Sequence, residues 1–156
     1  MTVETVRGPV DVAALGVTLM HEHVFVLTPD VMQEGIGDTN DLDHLKRIMD
    51  HGATIGCDRF GPDMYNTTAD RVATIAVLRE QGYADRIVLS QDASCYIDFF
   101  SGETWQATKE LVVPNWHFEH IHRDVLPALR DKGVTEEHIT AMLVDNPRRY
   151  FTPREG

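Results

Sequence analysis

The chain has 156 residues, 42% of them hydrophobic and 25% charged, an ordinary balance for one soluble globular domain. This excludes a disordered, collagen-like or disulfide-scaffold chain, and the length falls short of the about 250 residues of a complete (β/α)₈ barrel. With 14 basic against 25 acidic residues, net −11, the chain repels phosphate backbones, so nucleic acid is not an expected partner.

The N-terminal Met1-Thr-Val-Glu-Thr-Val-Arg7 lacks the basic stretch and apolar core of a signal peptide. No apolar run approaches about 18 residues, so no membrane partner is expected. Cys57 and Cys95 show no CxxC spacing. They are expected to be free thiols in a reducing, cytoplasmic compartment. Asn66-Thr67-Thr68 matches a glycosylation sequon, which reads as chance in such a compartment.

Residues 1–15 are mixed, with Gly8-Pro9 as a turn signal. Residues 16–26 read as a strand, rich in apolar and β-branched residues and closed by Thr28-Pro-Asp30. Residues 38–51 read as a helix. Asp38, Thr39 and Asn40 are candidate caps, Leu42, Leu45, Ile48 and Met49 share a face, and Gly52 suits the stop. Residues 53–58 form a short apolar run ending in Asp58, a second strand. Residues 67–81 repeat the helical logic with Val72, Ile75 and Ala76 inward and Gly82 after them, and Arg86–Ser90 is the next strand. Residues 91–114 read as a long irregular stretch. Residues 115–132 read as a helix through Phe118, Ile121, Val125 and Leu129, kinked or divided by Pro127. Thr135 caps a last helix carrying Ile139, Met142 and Leu143, expected to stop before Asn146-Pro147. Helices alternating with strands over short connections are the mark of parallel α/β structure.

Three groups of residues could carry chemistry. In His21-Glu22-His23 the two histidines are two apart on a strand, so both imidazoles face one side and can reach one metal ion. A bare HxH is a weak signal, and two half-buried polar histidines are the competing reading. Asp92 ends the apolar strand 86–90, where α/β folds gather ligand-binding groups, as do Asp58 and Arg59 after the preceding strand. A turn cap is the alternative role for Asp92. His117, His120 and Asp124 lie at helical spacings of three and four, which could make a second metal cluster, but His122 falls off that face. A solvated helix face is the preferred reading of this set, with no part in the site. No nucleophile elbow, P-loop or dinucleotide fingerprint occurs.

Several stretches resemble the phosphotriesterase-related proteins of the amidohydrolase superfamily, including the phosphotriesterase-like lactonases. They are Val6-Arg-Gly-Pro-Val-Asp11, Leu15-Gly-Val-Thr-Leu-Met-His-Glu-His-Val-Phe25, Gly37-Asp-Thr-Asn-Asp-Leu-Asp43, Ile55-Gly-Cys-Asp-Arg-Phe-Gly61 and Ile87-Val-Leu-Ser-Gln-Asp92. Pro114-Asn-Trp116, Asp124-Val-Leu-Pro127, Gly133-Val-Thr-Glu136 and Asn146-Pro-Arg-Arg-Tyr-Phe151 also match. The resemblance implies (β/α)₈ barrels with two metal ions, held by HxH on strand one, a carboxylated lysine on strand four, histidines on strands five and six, and an aspartate on strand eight. By motif, His21, His23 and Asp92 correspond to metal ligands. Asp92 also matches the family's proton acceptor, and Arg59 matches an arginine lining the substrate pocket of lactonase-like members.

The departures are large. The first-strand motif ends near residue 30 and the next, from Gly37, is the turn after strand six, so about six residues stand where strands two to five and most of six would be. Gly35 replaces the strand-six histidine, and none of Lys46, Lys109 and Lys132 falls on an expected strand. Gln91 stands where many relatives have histidine or asparagine. The expectation is a single α/β domain over 1–156, an internally deleted or truncated barrel keeping strands one, seven and eight as a parallel arc of 53–58, 86–91 and 17–24. Its expected function is metal-dependent hydrolysis of a small-molecule ester, lactone or phosphotriester, weak or inactive in this short chain. One divalent ion at most, of zinc type, is expected in place of the family's two. The alternative is a non-catalytic remnant or interaction module. Either way the open sheet edges point to a homo-oligomer.

Overall fold

The computed structural model describes residues 1–5, 8–20, 23–26, 39–97 and 105–152, with the backbone alone at 23–26, 96–97 and 105–106. The N-terminal segment is an antiparallel hairpin of β1 (Thr2–Thr5) and β2 (Gly8–Asp11), with Thr2 opposite Asp11 and Glu4 opposite Pro9. Its strands are short and lack an apolar alternation, so the pattern read only the turn. Asp11 then caps the 3₁₀ turn Val12–Ala14 by accepting Ala13 N–H at 2.8 Å.

The core is built on β4 (Ile55–Cys57) and β5 (Ile87–Leu89), paired in parallel with Ile55 opposite Ile87 and Cys57 opposite Leu89. Ser90 N–H extends the ladder to Cys57 O at 3.0 Å. α1 (Leu42–Asp50) precedes β4, and its N-cap is Asp41, one residue beyond the three candidates. α2 (Thr68–Glu80) joins β4 to β5, capped by Thr67 and turning out through Gly82 at φ 90°. Val72, Ile75 and Ala76 face inward as the spacing predicts, joined by Leu78. Phe60, Ile87, Leu89, Ile121 and Leu129 have no exposed surface, and each such side chain contributes about 1.5–3 kcal/mol by leaving water. Asn66 is buried, its amide paired both ways with that of Asn40 at 3.1 and 2.9 Å, which leaves the sequon no room for a glycan.

The expected three-strand arc is corrected. The 53–58 and 86–91 segments pair as predicted, but among the described residues the first-strand segment does not pair with 86–91. Among the described residues its strand is β3 (His23–Val26), which pairs in parallel with β6 (Ser94–Ile97), His23 opposite Ser94. The break between β5 and β6 falls at Asp92, whose φ of 51° turns the backbone out of the extended region. Residues 17–20 are not strand, because Thr18 N–H is spent on Leu143 O at 2.8 Å.

The stretch 91–114 also holds α3 (Trp105–Val112). The next helical run opens with a π turn, Ile121–Val125, and continues as α4 (Leu126–Asp131) with Pro127 in its first turn. Phe118 precedes it and is 42% exposed, not inward. The last run does not stop before Asn146-Pro147: α5 (Glu136–Thr140), capped by Thr135, passes through a second π turn, Ala141–Asp145, into α6 (Asn146–Phe151). Pro147 has no N–H for the carbonyl four residues back, Leu143, and Thr18 supplies the missing donor. Asn146 Nδ2 donates to Ala84 O at 2.9 Å and Ile87 O at 2.6 Å, fastening this helix beneath β5. Among the described residues no helix is long and apolar enough to cross a membrane.

Candidate functional site

The carboxyl ends of β4 and β5 lie side by side, so the residues after them share one rim. Arg59 follows β4 and Asp92 follows β5. Arg59 Nε stands 4.0 Å from Asp92 Oδ2, with both side chains about four-fifths buried, at 21% and 19% exposure. The guanidinium also lies 5.4 Å from the Tyr65 ring centroid, where a cation gains from the ring's negative face. Two residues carried over by motif are thus brought together.

Two supports hold this rim. Gly61 has φ 113°, and a Cβ there would sit 2.7 Å from both Asn115 O and Trp116 Cα, so only glycine lets the loop after β4 close on the 115–116 backbone. Trp116 Nε1 donates to Gln91 O at 3.0 Å and Asp92 O at 2.9 Å. Gln91 is fully buried; its Nε2 donates to Phe118 O at 3.0 Å and its Oε1 accepts Ile121 N–H at 3.3 Å. Gln91 therefore fixes the loop that fixes Asp92.

His21 and Gly35 lie outside the described residues, and of His23 only the backbone is described, in register with Ser94, two residues past Asp92. Ser94 Oγ is buried with no hydrogen-bond partner among the described residues. The three lysines lie on α1, on α3 and at the C-cap of α4, so no lysine stands on a strand where a bridging ligand would be. Lys109 lies on α3 and not in an irregular stretch, 5.5 Å from the Trp116 ring centroid, and donates to Ser94 O at 3.3 Å. Burial holds its ammonium below the usual lysine range, partly offset by Cys95. Lys109, Trp116 and Tyr65 were not singled out as site residues. Trp116 carried a signal in Pro114-Asn-Trp116; the other two carried none.

The solvated face expected for His117, His120 and Asp124 is also corrected. His120 is 1% exposed. Its Nδ1 lies 2.8 Å from Asp124 Oδ2 and its Nε2 lies 3.2 Å from Thr68 Oγ1 on α2. The His117 ring meets it edge-on at 5.7 Å between centroids. One ligand atom from each of His117, His120 and Asp124 lies within 4.8 Å of the others. His122 is exposed and takes no part.

The sequence profile of the Phosphotriesterase family matches residues 1–36 and 31–151. A phosphotriesterase homology protein of Mycobacterium tuberculosis is 45% identical over 120 residues, covering 77% of this chain and 36% of that protein. The aryldialkylphosphatase of Saccharolobus solfataricus is 36% identical over 117 residues, covering 75% and 37%. Among solved structures, the M. tuberculosis phosphotriesterase superposes with a TM-score of 0.70 at 45% identity, over 75% of this chain and 35% of that one. The organophosphorus hydrolase of Deinococcus radiodurans gives 0.64 at 35% identity, over 73% and 35%. The chain spans little more than a third of the length of the relatives it matches.

Proposed function

The chain belongs to the Phosphotriesterase family, and on that footing we propose that it is a shortened metal-dependent hydrolase of ester-like bonds, lactones or phosphotriesters, weak or inactive by itself. In this reading β3, β4 and β5 stand for barrel strands one, seven and eight, and residues 1–156 are one domain without strands two to five and most of six. The observation that carries it is the meeting of Arg59 and Asp92 at 4.0 Å on the rim of two parallel strands, where α/β enzymes place their reacting groups.

His21, His23 and Asp92 would hold one divalent ion. Two imidazoles and a carboxylate suit zinc, and 4.0 Å is an ion-pair distance, too long for a hydrogen bond, that a closer cation at Asp92 could replace. The set fits one ion and not two, since no lysine is on a strand. Such an ion would supply a hydroxide nucleophile and polarise the ester oxygen. Asp92 accepts the proton released on hydrolysis. Arg59, held against Tyr65, presents its guanidinium to an oxygen of the substrate. Assay of the zinc-supplemented chain with lactone and organophosphate panels tests this: hydrolysis that falls in Asp92→Asn, Arg59→Ala and His23→Ala supports it. No hydrolysis, with zinc uptake equal in parent and His23→Ala, ends it.

A second reading keeps the fold and drops the chemistry. β4–β5 and β3–β6 are two-stranded among the described residues, and Leu111 on α3 is 84% exposed. Open strand edges and exposed apolar residues favour association. Light scattering across concentration separates an oligomer from a monomer.

A further inference from the structure

The hydrogen bonds around His120 leave room for a cation between its ring and Asp124. Asp63 Oδ1 accepts both the N–H of Thr68, at 2.8 Å, and its hydroxyl, at 2.9 Å. The threonine has one hydroxyl proton, and giving it to Asp63 leaves Oγ1 as an acceptor towards His120 Nε2 at 3.2 Å. With the Thr68 hydroxyl given to Asp63, Nε2 bears the ring's proton. The neutral ring then turns its Nδ1 lone pair to Asp124 Oδ2 at 2.8 Å. Two lone-pair atoms at that distance need a proton or a metal ion between them.

His117 offers a third ligand atom. Its ring stands edge-on to His120, and a nitrogen of it shares the 4.8 Å cluster with His120 and Asp124. The one side-chain hydrogen bond it makes among the described residues is a long one, Nδ1 accepting Glu119 N–H at 3.3 Å, so ligation displaces little. The shell around it is also in place. A metal-bound histidine generally donates its other N–H to a fixed acceptor, here Thr68 held by Asp63. Asp124 is half exposed and His117 partly so, which gives an ion a way in, while His120 is sealed behind them. A π turn, Ile121–Val125, begins at the same point, a backbone feature often found where side chains are re-aimed for a site.

We infer that His117, His120 and Asp124 bind one divalent transition-metal ion, with water completing the shell, a ligand set that shares no residue with His21, His23 and Asp92. Two nitrogens and one carboxylate oxygen suit zinc or cobalt over magnesium or calcium.

The metal-stripped full chain is titrated with zinc by calorimetry and with cobalt by visible absorption. The variants are His117→Ala and Asp124→Asn, which alter partly exposed side chains, with His23→Ala and His122→Ala as controls and circular dichroism to confirm folding. Expected is loss of one ion, or affinity weaker by at least about tenfold, in both cluster variants, with the cobalt bands lost alongside. The controls keep this site. If the strand-end site also binds, the parent takes two ions and His117→Ala takes one; if it does not, the numbers are one and none. Unchanged zinc and cobalt binding in His117→Ala overturns the inference and leaves a proton between His120 and Asp124. Loss in His23→Ala alone overturns it equally and assigns the ion to the strand ends.

Discussion

Arg59 Nε and Asp92 Oδ2 lie 4.0 Å apart, and Asp92 reaches that place through a left-handed backbone, φ 51°. A non-glycine residue held there costs about 1–3 kcal/mol, aspartate being among the more tolerant. A partly buried ion pair at that distance returns little, about 1 kcal/mol at most. Asp92→Gly is therefore expected to leave stability within about 1 kcal/mol of the parent, losing the pair but easing the backbone. Asp92→Val is expected to lose about 1–3 kcal/mol more than Asp92→Gly, because a branched side chain resists positive φ. Urea midpoints of the two variants check this; equal midpoints would show that the turn is not strained.

Gly61 and Gly8 both have positive φ, 113° and 96°, but only at Gly61 would a Cβ meet backbone, at 2.7 Å. Gly8→Ala is expected to cost about 1 kcal/mol from conformation alone. Gly61→Ala is expected to cost well over that, on the order of 3 kcal/mol, because Asn115 and Trp116 must move. Their movement loosens the indole bonds to Gln91 and Asp92, so the Trp116 emission should shift towards that of exposed indole in Gly61→Ala and stay put in Gly8→Ala.

What the sequence made legible was local or strongly patterned. Thr67, the inward Val72, Ile75 and Ala76, and Gly82 define α2 within one stretch of chain. The β4 and β5 segments are apolar runs ending in polar residues at the rim, and Arg59 and Asp92 were nominated from that position. What was missed depends on distant partners. β6 is a strand because β3 lies beside it. His120 is buried because Thr68, 52 residues away, meets its ring, and helical spacing has no access to that contact. The first-strand ligands could be matched by motif, yet only the backbone of His23 enters the described site.

The helix running through Pro147 has the same kind of cause. Thr18 N–H occupies the Leu143 carbonyl that Pro147 cannot bond. Pro147→Ala restores an N–H that competes for Leu143 O. The expected result is faster hydrogen exchange at the Thr18 amide, with α5 amides unchanged. Undiminished protection at Thr18 would show that its docking rests on other contacts, such as Arg148 Nε to Leu15 O at 2.7 Å.

Cys57 offers a titration whose sign is fixed. Burial pushes its thiol from 9.0 up to about 12, against a smaller opposing pull from Arg71. Below about pH 9 the thiol is protonated in both folded and unfolded chains, and its contribution is full and constant. Above that, the unfolded chain sheds its proton while the folded one keeps it, so stability falls by about 1.4 kcal/mol per pH unit until the folded thiol ionises near 12. Cys57→Ala removes this pH dependence, with a constant packing loss beside it, so the parent should lose stability faster than the variant as pH rises from 9 to 11. The same burial predicts that a thiol reagent at pH 8 labels only the exposed Cys95 in the folded chain and both cysteines in denaturant. Parallel stability curves for parent and variant, or rapid labelling of Cys57 without unfolding, would show that β4 opens to water.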